Sequence, residues 1–176
     1  MSQQQQSLEN LAARIQRLED IEAIKHLMIR YARASDDNHN VDIMVPQFAE
    51  DGILDVGSGY GQYQGHKALR EFLQGPAGKV ISWSLHYMIT PLIEINEDGR
   101  TARGFWYLWE IANMPTGKTG KDEAVWIGGS YDIDFVKQDN GEWKFKKVAL
   151  KMEIMSPYSE GWAKKPWHDF GRLETE

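Results

Sequence analysis

The chain has 176 residues, 41% hydrophobic and 26% charged, the proportions of a single globular domain. A formal net charge of −6, with no basic patch interleaved with aromatics, argues against nucleic acid as a partner. The absence of cysteine excludes disulfides, thiolate catalysis and cysteine-ligated zinc.

The first seven residues are polar and are expected to fray. They carry neither a basic leader nor an apolar run, so no membrane segment is expected and cytoplasm is the expected compartment. From Leu8 to Ala34 apolar residues recur every three or four positions. The stripe runs through Leu11, Ile15 and Leu18, then Ile21, Ile24, Met28 and Ala32, and predicts a helix. The stripe drifts at 100° per residue, so a bend or two shorter helices is expected. The polar run Ser35–Asn40 stops it. Val41–Phe48 reads as a second short helix, and Ile53–Val56 as a short strand.

Gly57–Gly65 is glycine-rich but lacks G-K-[ST] and any following helix at the phosphate-loop offset, so it reads as a hairpin or loop. His66–Leu73 reads as a short amphipathic helix. Four strands follow over Val80–Ile95, Thr101–Asn113, Ala124–Val136 and Trp143–Met155. Asp98-Gly99 and Asn140-Gly141 mark two of the turns between them. Helices followed by hairpin-linked antiparallel strands make an α+β domain. Neither a repeat nor a domain boundary interrupts the chain, so residues 1–176 are expected to form one domain. Its ends are a flexible segment 1–7 and a tail 156–176, whose Tyr158, Trp162, Trp167 and Phe170 suit a segment draped on the body or on a neighbouring subunit.

The order of these pieces resembles the SnoaL-like branch of the NTF2-like superfamily, cone-shaped α+β barrels with N-terminal helices packed on a curved, mostly antiparallel sheet. The stretches that carry the resemblance are Leu18–Asp36, Phe48–Gly52, Gly65–Leu73, His86 ahead of Pro91–Ile95, and Gly141–Val148. They span about residues 18–150. The superfamily includes scytalone dehydratase, lindane dehydrochlorinase, bile-acid dehydratase, ketosteroid isomerase and diarylpropane formaldehyde lyases. It also holds non-catalytic members such as the β-subunits of ring-hydroxylating dioxygenases, so fold alone does not assign function.

The dehydratase-type members place a Tyr or Lys and, five residues on, an Asp on the first long helix, with a His on the meander. Tyr31, Asp36 and His86 match that pattern, and the resemblance implies that they are catalytic. Asp36 follows Ala32 of the apolar stripe by one turn, whereas Asp37 follows Arg33 of the wet face, which favours Asp36. Relatives often place an Arg on the last strand; Lys147 or Lys151 stands there, and Lys151 is assigned to substrate binding.

A His–Asp pair beside a phenol suits general acid–base elimination, with the His near its neutral-range titration. The competing role for each is structural: a hydrogen-bonded core His and an exposed helix-ending Asp. Trp106, Trp109 and Trp126 are assigned to the substrate pocket, against the alternative of core packing, because strand alternation sends about half of the meander aromatics inward. Glu110 is decisive if it faces inward, because a buried carboxylate needs a partner. No two-His-one-carboxylate or H-E-x-x-H spacing is present, so neither a metal nor another cofactor is expected.

The expected activity is a cofactor-independent lyase that eliminates water or formaldehyde from a small hydroxylated aromatic or polycyclic substrate. A ketosteroid-like isomerase and a non-catalytic scaffold are the alternatives. A homodimer or homotrimer is expected from the aromatic tail and the open sheet face typical of the fold. Turnover should survive exhaustive dialysis against chelator; loss of activity restored by one added metal would refute the cofactor-free expectation.

Overall fold

A computed structural model describes residues 2–57, 60–115 and 120–167. Ser2 caps the first helix by accepting a hydrogen bond from the Gln5 N–H at 3.2 Å. This helix, α1 (Gln3–Asp36), is a single element, not two. Its 34 residues extend about 50 Å at 1.5 Å rise each. The drifting stripe has a physical outcome. Leu8, Leu11, Ile15 and Leu18 are exposed, and burial starts only at Asp20, continuing through Ile24, Leu27, Met28, Tyr31, Ala32, Ala34 and Ser35. Only the second half of α1 packs on the body.

After α1 come α2 (Val41–Met44) and a 3₁₀ turn over Val45–Gln47. The expected second helix is therefore shorter, and Phe48 already opens strand β1 (Phe48–Asp55). The glycine-rich stretch supplies β2 (Gln62–Gln64), paired with β1 as a hairpin. Next come α3 (Gly65–Phe72), a π-helical turn over Leu73–Ala77 and the short α4 (Gly78–Val80). The meander is β3 (Trp83–Ile95), β4 (Thr101–Pro115), β5 (Asp122–Lys137) and β6 (Trp143–Pro157). Of the polar segment between β4 and β5, residues 116–119 lie outside the described residues.

The six strands form one open sheet in the order β2-β1-β6-β5-β4-β3. Among these pairs only β1 and β6 run parallel. The sheet's concave face and the second half of α1, with α2 and α3, enclose the core, whose centre is Phe48, Phe135, Phe145, Leu27, Met28 and Leu69. Bulges bend the sheet where it must wrap this core. Two lie between β5 and β6, at Gly128/Gly129 and Asp134/Phe135; one lies in β3 between Ile89 and Leu92. A Cβ at Gly129 would collide with the Lys151 carbonyl, so the first bulge requires glycine. Pro91 is tolerated in β3 because this strand is the sheet edge.

The tail folds back on its own chain. The Met155 N–H donates to the Pro166 carbonyl at 2.9 Å, and Trp162 packs edge-on against Trp109 and Trp126. Phe170, expected to join it, lies outside the described residues. No described helix is long and apolar enough to cross a membrane.

One buried carboxylate fastens α1 to the far end of the sheet. Asp20 accepts from Lys137 Nζ at 2.7 Å, Trp143 Nε1 at 2.9 Å and Gln16 Nε2 at 3.3 Å. Burial alone would raise its pKa, but the Lys137 and Trp143 bonds outweigh that and hold it below the usual carboxylate value. Arg17 adds a bond to the Ile95 carbonyl at 3.0 Å. Asp20→Ala strips the buried indole N–H and the Lys137 ammonium of their acceptor. It should cost about 2–4 kcal/mol in denaturant unfolding, with cavity chemistry unaffected. A change below about 0.5 kcal/mol would show that the clamp carries little.

Candidate active site

Between the C-terminal end of α1 and the strands β3–β6 lies a cavity of about 110 Å³. Leu54, Phe72, Met114, Ile127, Leu150 and Met155 are among its apolar walls; its polar groups include Tyr31, Ser35, His39, His86, Glu110 and Tyr131. The volume is of the order of a cavity that holds one aromatic ring.

Asp36 is the last residue of α1 and reaches across to β3. Its Oδ1 accepts from the His86 backbone N–H at 3.0 Å and faces His86 Nδ1 at 2.7 Å. This contact orients the ring and favours the tautomer with the proton on Nδ1. The opposite nitrogen, Nε2, lies 3.3 Å from Glu110 Oε2. His86 and Glu110 are cross-strand partners on β3 and β4, so the sheet register itself sets this approach. The imidazole thus stands between two carboxyl groups. Burial works against its protonation, but the Asp36 bond and the charges of Glu110 and Asp36 win, and the His86 pKa rises above its ordinary value. Burial pushes the Glu110 pKa up to about 7; His86 opposes this and Asp36 adds to it.

Tyr31 lies one turn before Ser35 on α1, packed edge-on against Phe145 at 5.4 Å and Tyr131 at 6.4 Å. Burial, reinforced by the charge of Glu110, holds its pKa well above the usual phenol value, so the phenol keeps its proton. Tyr131 is raised for the same reason, with Tyr31 and Glu110 adding to burial. The structure therefore brings Tyr31 and His86 to one cavity, with Asp36 bonded to His86 beside it.

It does not bring the remaining assigned residues there. In β4 the even positions from Ala102 to Met114 face inward. Trp106 is inward, but packs against Phe135 and over Gly104, away from the cavity walls. Trp109 is odd-numbered and faces out, where it stacks on Trp126 at 5.3 Å. Trp126 faces out because the buried positions flanking it on β5 are Val125 and Ile127. Lys151 is exposed and pairs with Glu153 at 2.5 Å; its neighbours Leu150 and Met152 take the cavity positions. Lys147 pairs instead with Asp55 at 3.2 Å. These residues are thus not pocket residues, and neither lysine supplies a fourth polar member.

Glu110, Tyr131 and His39 are among the polar cavity residues not assigned from sequence. Glu110 had a legible signal: it is the one acid on the inward face of β4, between Leu108 and Ala112. Tyr131 follows by the same alternation on β5. His39 had none. It enters the cavity because Asn38 and His39 both adopt left-handed backbone, with φ of 52° and 51°. Its Nδ1 and Glu110 Oε1 are buried without hydrogen-bond partners among the described residues.

Comparison with known proteins agrees with this architecture. The SnoaL-like domain profile matches residues 16–149. A solved protein from Novosphingobium aromaticivorans, described as a candidate aromatic ring hydroxylase, is 30% identical over 80% of this chain and 94% of its own, with a TM-score of 0.66. Hexachlorocyclohexane dehydrochlorinase LinA-type3 from Novosphingobium barchaimii is 19% identical over 82% of this chain and 94% of its own, TM-score 0.73. A candidate scytalone dehydratase from N. aromaticivorans is 23% identical over 81% and 90%, TM-score 0.69.

His39 gives a test of the cavity's electrostatics. Burial and the charge of His86 depress its pKa to about 4, with Asp36 opposing, so the folded protein holds it neutral. The unfolded chain binds the proton near pH 6.5, so protonation opposes folding between those values and wild-type stability falls as pH drops from 6.5 toward 4. His39→Asn, which tolerates the left-handed backbone, should remove a pH-dependent loss of about 2–3 kcal/mol over that window. Identical pH–stability curves for the two proteins would place His39 in water. Fold, matched profile and 30% identity to a solved relative together make this chain a member of the SnoaL-like family, with an NTF2-like fold.

Proposed function

We propose that the protein is a cofactor-independent lyase acting by acid–base elimination on a small hydroxylated aromatic substrate, with loss of water or of formaldehyde. The observation that carries this is the Asp36–His86 contact at 2.7 Å opening onto an apolar cavity that Tyr31 also lines. Asp36 fixes the imidazole and stabilises its cationic form. His86 carries the proton of the acid–base site. Tyr31, kept protonated, donates to an oxygen where charge develops. The apolar walls exclude water and strengthen each of these interactions. Dehydratase- and dehydrochlorinase-named proteins of the same fold support a lyase over an isomerase.

A non-catalytic scaffold is the second reading. It is favoured by the exposed apolar residues Tyr87, Ile89, Leu92 and Tyr107 on the strands β3 and β4, and by the relative described as a ring hydroxylase. In the lyase reading that sheet face is covered by further copies in a homodimer or homotrimer in the cytoplasm.

His86→Ala should cut turnover of hydroxylated aromatic substrates roughly 100- to 10,000-fold, the usual worth of acid–base help, while the protein stays folded. Asp36→Asn keeps the shape and removes the charge, and should lower rate more than melting temperature. A folded His86→Ala protein with undiminished turnover would end the lyase mechanism. Wild type inert across a broad panel, yet forming a stoichiometric complex with an oxygenase large subunit, would establish the scaffold.

A further inference from the structure

We infer that Glu110, rather than His86, is the group that exchanges the proton with the ligand, and that the cavity recognises a ligand hydroxyl through this carboxyl. The inference rests on the lyase reading for its chemical step, though not for its binding step. Both nitrogens of the His86 ring already face a carboxyl oxygen: Nδ1 faces Asp36 Oδ1 at 2.7 Å and Nε2 faces Glu110 Oε2 at 3.3 Å. Neither ring nitrogen is clear of a carboxyl oxygen, so a substrate proton meets a carboxyl beside the ring. Glu110 does have spare capacity. Its carboxyl lines the cavity, its residue is 3% exposed, and its second oxygen, Oε1, is buried with no hydrogen-bond partner among the described residues.

A buried carboxyl oxygen without a donor is costly, and a native protein keeps one where a ligand supplies the donor. Since the cavity walls are otherwise mostly apolar, the matching ligand is a phenol or benzylic alcohol: a flat apolar body with one hydroxyl to offer.

The groups facing Glu110 are His86 from β3, Asp36, Tyr31 and His39 from α1 and its following turn, and Tyr131 from β5. Together they let one proton be shared between His86 Nε2 and Glu110 near neutral pH. The step starts from the form with that proton on His86 and Glu110 ionised. Elimination then runs through Glu110. Its carboxylate takes the proton from the carbon adjacent to the one that bears the departing oxygen. The C–H pair becomes the new π bond, and the C–O bond breaks with its pair on oxygen. That oxygen recovers the proton from Glu110 and leaves as water, so the site ends as it began. His86 is the positioning residue that keeps Glu110 charged in an apolar wall.

The test uses phenol and benzene, which differ by the one hydroxyl and fit a cavity of this size. Met44, Met114, Met152 and Met155 line it, so their methyl NMR signals report binding without turnover. Wild type should bind phenol at least roughly tenfold more tightly than benzene at about pH 8, the scale of one hydrogen bond to a charged group. The preference should shrink as pH falls below about 7. Glu110→Leu should abolish the preference while still binding benzene, and Lys151→Ala, at an exposed position outside the cavity, should keep it. Glu110→Gln keeps the shape, should lose the pH dependence, and should lower kcat roughly 100- to 10,000-fold on any substrate found, with KM changed only a few-fold. A wild type with no phenol preference, or a Glu110→Leu protein that retains it, would overturn the inference. So would a Glu110→Gln enzyme of normal kcat beside an inactive His86→Ala. If Glu110 governs phenol binding but wild type turns over nothing, the lyase reading falls and the recognition of a hydroxyl by Glu110 stands.

Discussion

A single oxygen, Asp36 Oδ1, receives two contacts from His86, one from the backbone N–H and one from the ring. The backbone bond settles where the edge strand β3 meets the end of α1. The ring contact settles which way the imidazole points once the strand is there. One carboxylate therefore anchors the strand and orients the ring with the same oxygen, and the two cannot be separated by moving either element. The remaining site geometry follows from sheet pairing. Once His86 is placed, its cross-strand partner Glu110 is brought to the other ring nitrogen, and alternation on β5 puts Tyr131 beside Tyr31.

The cavity survives in an otherwise tightly packed body because the sheet is bent around it. The bulges between β5 and β6 each add a residue on β6 and switch which parity faces inward. Trp143 and Phe145 fill the narrow end of the core. After the first switch the inward positions are Val148, Leu150 and Met152; after the second, Met155. Leu150 and the flexible, unbranched Met152 and Met155 thus line the cavity, where aromatic rings would have closed the space. Glycine at 129 is the condition for the second switch, because a side chain there would strike the Lys151 backbone.

This geometry separates what was legible in the sequence from what was not. Helix periodicity, the Asp-Gly and Asn-Gly turns and the order of motifs place every major element, because those signals are local. The nearness of Tyr31, Asp36 and His86 was legible through the pattern that the resemblance implies. The pocket aromatics were not. Trp109 and Trp126 look like pocket residues in composition, but their facing depends on strand register, which no local signal fixes. Lys151 was displaced by the bulges of β6, which one-dimensional alternation cannot anticipate. His39 escaped because two consecutive left-handed residues turn the chain inward without glycine. The exposed first half of α1 was the reverse case: its apolar stripe was legible, but a stripe says only that something covers it, not that this chain does.

The energetics of the two ends of α1's packed half explain why a site with unpaired buried atoms can persist. At one end Asp20 Oδ1 accepts from an ammonium, an indole and an amide. At the other end Glu110 Oε1 and His39 Nδ1 are buried without partners among the described residues, each a cost of about 1–3 kcal/mol relative to a satisfied group. Both ends hang on the same helix, so the satisfied clamp holds in register the segment that the unsatisfied end would otherwise loosen. The cost at the cavity is recoverable only when a ligand brings donors and acceptors to those atoms. Binding energy is then available to orient the ligand against His86 and Glu110, which a self-satisfied cavity could not offer.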